Sequence, residues 1–351
     1  MLLPAPHLPT ASPDGLPPPA LTELEERARR VARHNLFLTA QLLDLLGRFS
    51  ARGIPAVSFK GPTLAAVAYG DVSRREFLDL DILVRRQDLP AAAELLRLRG
   101  YHAEPPLSRG AEAAFLASQF HLRLVRGPGE VVELHWRFAP RSFPFPLDPE
   151  RACARLTKVR LGGATVCTLG PEDLLLFLSA HGAKHLWERL AWVCDVAALI
   201  RNVRMNWPDV IREAGLLGVA RAVRLALVLA RDLLGSELAD DVAEWVQRDR
   251  GVSRLAALAR QRLFATSRVP VKGWERLGFY VMVRERLRDK ARCAFHTVAT
   301  PTTAELTLVA LPMGLHPLYY VLRPVRLTVK YGVRLWQALW AHAGFRTAGR
   351  R

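Results

Sequence analysis

The stretch "FKGPTLAAVAYGDVSRREFLDLDILV", from Phe59 to Val84, decides how the front of this chain is read. Its last seven residues are mostly apolar and rich in strand formers, so Leu78 to Val84 predicts a β-strand. Side chains of a strand alternate between faces, so Asp79 and Asp81 share one face and Leu80 and Ile82 the other. Two carboxylates about 7 Å apart on one strand face repel each other unless positive charge lies between them. A hard divalent cation suits that place, since Mg²⁺ takes one or two carboxylates together with substrate phosphates. The plainer alternative is a half-exposed edge strand whose polar face is wet.

A second strand repeats the design. "HLRLVRGPGEVVELHWRF" alternates on both sides of Gly127-Pro128-Gly129 and predicts a hairpin. In its second arm Glu133 and His135 share one face, and Val132 and Leu134 share the other. If the two acidic strands are neighbours in one sheet, three carboxylates converge. That number suffices for a two-metal site holding the attacking and leaving oxygens of a phosphoryl displacement.

The surrounding pattern is α+β. A helix is expected from about Leu21, with Thr22 and Glu25 at capping-box spacing and Gly53 at its end. "IPAVSF" reads as a strand. Gly61-Pro62 then opens a helix reaching about Tyr69-Gly70. "LPAAAELLRLRGY" is an amphipathic helix closed by Gly100, and "TKVRLGGATVCTLG" a shorter hairpin. From Pro171 the period becomes helical and stays so to about residue 265. "PEDLLLFLSAHGAKHLWERLAWVCDVAALIRN" is one long helix or two. The expected division is a proline-rich disordered lead over 1–20, a mixed sheet with flanking helices over 21–170, a helical domain over 171–268, and a basic helical and amphipathic region over 269–351.

The chain of 351 residues is half hydrophobic, which suits a globular protein with real cores. Its net charge of +17 is uneven: Val252 to Arg351 carries 18 Lys and Arg against 4 Asp and Glu, so +14 lies there. Cys153, Cys167, Cys194 and Cys293 show no C-x-x-C spacing, which argues against a zinc site or disulfide scaffold and fits a reducing cytoplasm. The first residues lack the charged start of a signal peptide.

Strand, glycine turn, helix, D-x-D strand and a later acidic strand, in this order, resemble the polymerase-β-like nucleotidyltransferases. The likeness is to a bacterial branch labelled uncharacterised nucleotidyltransferases. "HGAKHLWERLAWVCDVAALI" (181–200) and "LYYVLRPVRLTVKYG" (318–332) extend it. The resemblance implies that Asp79, Asp81 and Glu133 are catalytic and ligate Mg²⁺ or Mn²⁺, with Glu133 drawing the proton from an acceptor hydroxyl. It implies a nucleoside triphosphate substrate, attack at the α-phosphorus and release of pyrophosphate. Lys60 and Gly61 occupy the phosphate-binding turn, and Arg75 stands where the branch often has an arginine; it either neutralises a triphosphate or is a surface charge of the "SRRE" loop. The turn departs from the superfamily: Lys-Gly replaces Gly-Ser or Gly-Gly. Lys60 either supplies a point charge in place of the hydroxyl or faces solvent. His135 either touches substrate or braces Glu133, and Lys184 either belongs to a second wall of the site or, by default, packs in the core.

Other constellations carry less. His181 and His185 have helical metal spacing but lack the glutamate of H-E-x-x-H, so a packed pair is the expectation. Trp187 and Asp195 are expected in the core by default, with a second wall of the site as the alternative. "LTLVALPMGLHPLYYVL" (306–322) is uncharged, broken by two prolines, and short for a membrane span. The expectation is that it packs on the protein's own core, with the charge solvated. The basic and aromatic residues of 280–351 also suit an anionic membrane surface, at the inner face for a cytoplasmic protein, or a nucleic acid. The reading is thus a cytoplasmic, metal-dependent nucleotidyltransferase acting on an acceptor that the residues do not specify. The alternatives are an inactive relative that only binds, and a peripheral membrane protein acting through its tail.

Overall fold

The computed structural model describes residues 17–330, apart from 107–108, 144, 266–270, 272 and 310. Most of the expected 1–20 lead and the segment 331–351 lie outside these residues. Helix α1 (Pro18–Ala51) starts three residues before the sequence reading placed it. Pro17 is its N-cap and a proline opens its first turn, so Thr22 lies inside the helix and the Thr22/Glu25 capping box is not its start. Proline at the first turn lacks only an N–H that would have had no helical partner, so the prolines set the boundary earlier.

Five strands form the sheet that carries the front half. They are β1 (Ala56–Ser58), β2 (Leu80–Val84), β3 (His102–Ala103), β4 (His121–Arg126) and β5 (Glu130–His135), in the order β1-β2-β5-β4-β3. Strand β2 begins at Leu80, two residues later than expected, so it holds Asp81 while Asp79 lies just before it; the strand is interior, which removes the wet-edge alternative. Strands β2 and β5 run parallel and the other pairings are antiparallel, so the sheet is mixed as expected. The crossover between the parallel pair contains α3 (Leu89–Leu98) and α4 (Arg109–Ser118). A separate hairpin, β6 (Thr157–Leu161) with β7 (Ala164–Thr168), follows the short helix α5 (Pro149–Cys153). All four cysteines are free.

The two faces of the sheet do different work. Leu80, Ile82, Leu122, Leu124, Val132 and Leu134 are buried against Leu38, Leu42, Leu45 and Phe49 of α1 and Leu95 and Leu96 of α3. Each such side chain contributes about 1.5–3 kcal/mol on burial. The opposite face joins a second core: Val57, Phe59 and Leu83 pack into one apolar cluster with the helical half. That half comprises α6 (Pro171–Lys184), α7 (Leu190–Asn202), α8 (Trp207–Leu217), α9 (Ala220–Leu234), α10 (Asp240–Gln247) and α11 (Gly251–Leu263). Helices α12 (Gly273–Val283), α13 (Leu287–Ala299) and α14 (Thr303–Leu308) follow.

The stretch from Pro171 is two helices because the chain turns sharply after Lys184. Leu186 and Trp187 both adopt φ of +54°, a left-handed conformation costly for non-glycine residues. Burial holds it: the Trp187 ring is fully enclosed above Gly182, and its backbone N–H donates to the Gly182 carbonyl. A β-carbon on Gly182 would come 2.5 Å from that ring.

Helix α2 (Gly61–Tyr69) is stitched to α7. Asp195, 1% exposed, accepts from Arg75 Nε at 2.7 Å and Nη2 at 2.9 Å and from the Tyr69 hydroxyl at 2.8 Å. Asn202 Nδ2 also donates to the Ala68 carbonyl at 2.8 Å. At the far end, Leu306 and Tyr319 are buried in the sheet-side core, so part of the uncharged run packs on the protein itself as expected. Residues 319–330 are helical, and Leu318, Val321, Val325 and Val329 stay exposed. No helix among the described residues is long and apolar enough to cross a membrane.

Two stability effects follow. Gly182→Ala drives a methyl into the Trp187 ring and costs about 1–3 kcal/mol, read as a lower urea midpoint with an unchanged slope. Arg75→Ala leaves the Asp195 carboxylate buried without its cation and costs about 3–5 kcal/mol. Asp195→Asn in the same background recovers part of that loss in the same assay.

Candidate active site

The parallel register places Asp81 directly across from Glu133 and Leu83 across from His135. The antiparallel hairpin adds His121 across from His135. Since residues in register share a face, Asp81, Glu133, His135 and His121 all project from the side turned toward α6 and α7. Asp79, just ahead of β2, is half-buried beside them.

The turn between β1 and α2 delivers the cation. Gly61 has φ of +53°, and a β-carbon there would stand 3.1 Å from the Asp79 carbonyl oxygen. Only glycine combines that conformation with that approach easily. Lys60, extended just before it, reaches Nζ to 2.8 Å from Asp81 Oδ1. Its side chain is 14% exposed, so it serves the site as a point charge and does not face solvent. The nearby hydroxyl of Thr63 is buried and donates to the Lys60 carbonyl at 2.9 Å.

His135 links the carboxylates. Its Nε2 is 3.0 Å from Asp81 Oδ1 and 3.4 Å from Glu133 Oε2. The Phe59 ring packs edge-on against the imidazole at 5.1 Å, and His121 stacks on it at the same distance. Burial opposes a charged His135, yet its two carboxylate partners raise its pKa. Burial likewise opposes an ionised Asp81, and Lys60 and His135 outweigh it, holding that carboxyl below its ordinary range. Glu133 is also held low, by His135 above all once burial is overcome. Asp79 behaves oppositely: burial, and then the Asp81 charge, push it up to about 6.

Asp81, Glu133 and His135 each offer an atom within 4.8 Å of the others, a spacing that one metal ion can span. The fit has a further sign. Asp81 is fully buried, and its Oδ2 has no hydrogen-bond partner among the described residues. A buried carboxylate oxygen left bare is costly, and a cation or a hydrogen-bond donor satisfies it. The donor set is two carboxylates and an imidazole; Asp79 stands beside the cluster and is not one of its three members.

The remaining predicted residues are placed as follows. Arg75 is engaged with Asp195, and its charge acts on Asp79 and Asp81 from there. Lys184 closes the site from α6, its Nζ 4.9 Å from the centre of the Phe120 ring. His181 and His185 pack together at 4.7 Å and against Trp192, so they form a packed pair. His121 and the Arg75–Asp195 pair were not anticipated. Hairpin symmetry about Pro128 pairs 121 with 135 and is a signal that could have found His121; no local signal links Arg75 to Asp195.

His185 is held down to about 3 by burial and then by the Lys184 and Lys60 charges. A histidine depressed on folding stabilises fully above its unfolded pKa of about 6.5, and that stability drains as pH falls toward the folded value. Lowering pH from 7 to 5 therefore destabilises wild type, and His185→Gln is expected to reduce the accompanying drop in melting temperature.

A solved structure similar in part to this chain is an antigenic nucleotidyltransferase-like protein from Paracoccidioides brasiliensis. It is 15% identical, matching 62% of this chain and 94% of that one with a TM-score of 0.35. No curated protein matches significantly. The family model described as "Uncharacterised nucleotidyltransferase" matches residues 3–235 and so contains β1 to β7 and the whole acidic cluster. On that match the chain belongs to the uncharacterised nucleotidyltransferase family, a class of transferases.

Proposed function

We propose that the chain transfers a nucleoside monophosphate from a nucleoside triphosphate to an acceptor hydroxyl and releases pyrophosphate. The observation that carries this reading is the parallel pairing that sets Asp81 against Glu133, with Asp81 Oδ2 buried and bare. In this reaction the acceptor oxygen bonds to the α-phosphorus, the bond from that phosphorus to the bridging oxygen breaks, and pyrophosphate keeps the electron pair. Such transfers need positioning and charge neutralisation more than covalent help.

Asp81 and Glu133 would hold a divalent cation, with Asp79 and His135 beside them as further donors. When bound, the ion would supply Lewis-acid neutralisation of the reacting phosphate oxygens. Carboxylates suit Mg²⁺ or Mn²⁺. Glu133 is ionised at neutral pH, the state a base toward the acceptor hydroxyl requires, although its histidine partners weaken its pull on a proton. Lys60 would meet phosphate from the turn at Gly61, beside its present partner Asp81. Arg75 adds positive charge from its place beside Asp195.

Calorimetry with each of the four nucleoside triphosphates, with and without Mg²⁺ or Mn²⁺, tests the reading. Binding is expected to depend on the metal and to fall at least roughly tenfold in Asp81→Asn, the loss of one charge-assisted contact. Folded wild type that binds none of the four nucleotides would overturn the reading and favour an inactive relative.

A further inference from the structure

Helix α13 has two unlike sides. Cys293 is fully buried and its thiol donates to the Ser142 carbonyl at 3.2 Å, which fixes the inward side. Leu287, Ala291, Phe295 and Val298 recur at helical spacing on the outward side. All four are exposed, Leu287 by 81% and Phe295 by 66%. Arg288 and Arg292 lie along the same side and are exposed too. The one acid of this helix, Asp289, is turned to the protein: a β-carbon on Gly218 would come 2.7 Å from its Oδ2.

The helix over 319–330 repeats the arrangement. Tyr319 is buried, and its hydroxyl donates to the Val309 carbonyl at 2.7 Å. Arg323 and Arg326 both pair with Glu305, which is buried, and Arg323 also donates to the Thr297 carbonyl of α13 at 3.3 Å. With that side moored, Leu318, Val321, Val325 and Val329 make an exposed stripe at steps of three and four residues. Residues 287–330 hold six Lys and Arg against two Asp and Glu. Both acids face the protein, so the charge shown outward is positive. The basic region is continuous with the sheet: Arg141 and Arg292 act together on His296, and Arg137 lies in the field of Arg141, Arg86 and Tyr320.

The partner of such a face must offer negative charge and an apolar interior together. Exposed apolar side chains gathered in stripes mark a contact surface. Leucine and valine do not stack on bases, so a nucleic acid would leave most of the stripe unused. An anionic bilayer takes both parts: its headgroups meet the arginines and lysines, and the stripe enters the boundary of the acyl chains.

We propose that α13 and the helix over 319–330 dock the protein onto an anionic phospholipid surface, lying in the interface without crossing it. The docking stands apart from nucleotidyl transfer, because none of its residues belongs to the acidic cluster. Each cation near such a surface is worth roughly fivefold in partition, and the apolar residues add to that.

The test is flotation of the full chain with vesicles of phosphatidylcholine alone and of phosphatidylcholine mixed with phosphatidylglycerol. Wild type is expected to float with the mixed vesicles only, and less as salt rises from about 0.1 to 0.5 M. Arg288→Gln/Arg292→Gln should weaken this binding roughly ten- to thirtyfold. Leu287→Ser/Phe295→Ser, which leaves the charge unchanged, should weaken it at least roughly tenfold. All four positions are exposed, and melting curves check that the variants stay folded. Folded wild type that floats with neither vesicle overturns the proposal, as does binding that neither double variant changes. Loss in the arginine variant alone, with single-stranded RNA bound as tightly as the mixed vesicles, assigns the face to a nucleic acid and overturns it. A dimer that dissociates in Leu287→Ser/Phe295→Ser, without flotation of wild type, assigns the face to a second copy and overturns it too.

Discussion

Charge brought into the buried face of a sheet is the constraint on which the rest of this structure depends. Asp81 is fully enclosed in the middle of five strands, and register sets Glu133 beside it. Carboxylates so placed cannot stay ionised without compensation. Lys60 and His135 supply it, both within about hydrogen-bond reach of Asp81 Oδ1. That need explains local features that otherwise look unrelated. Gly61 takes a positive φ because the turn must approach the Asp79 carbonyl while sending Lys60 inward. Phe59, Phe120 and His121 enclose the imidazole of His135 and fix its orientation.

The helical half is built onto this same face. One apolar cluster runs from Val57, Phe59 and Leu83 of the sheet side through Leu175, Phe177 and Leu178 of α6 to Val196 of α7. The acidic site thereby lies between sheet and helices, with α1 and α3 backing the other side. Tyr69 and Arg75 from the front and Asp195 from α7 form a buried cluster that sets how the wall carrying Lys184 meets the floor carrying Asp81. Breaking one partner would leave an unpaired charge in the seam, so this geometry is strongly specified.

What could be read from the residues was whatever depends on near neighbours. The alternation around Asp81 and Glu133, the hairpin about Pro128 and the glycine stops at Gly53, Gly70 and Gly100 all come from local rules, and the elements stand there except that β2 begins at Leu80 and leaves Asp79 ahead of it. The start of α1 was misjudged because two local rules competed there. The Thr22/Glu25 spacing suggested a cap, while the proline at the first turn allowed an earlier beginning. The adjacency of β2 and β5 was only conditional in the sequence, since a crossover of some forty-five residues separates them. Asp195 was legible as a core or second-wall residue but not as the partner of Arg75, which lies 120 positions earlier with no periodicity to connect them.

The departure at the turn then has a physical meaning. In the superfamily pattern this turn offers a small hydroxyl; here the hydroxyl of Thr63 is committed to the Lys60 carbonyl and lies against Ser58. An ammonium takes its place at the mouth of the carboxylate cluster. A hydroxyl can contact phosphate but cannot neutralise Asp81. A lysine on a flexible stem can do either, one at a time. Among the described residues, the cations at the site come from the β1–α2 turn, the loop before β2 and the end of α6. The charge balance of the site is therefore local: the lysine of the Lys-Gly turn compensates the buried carboxylate of Asp81.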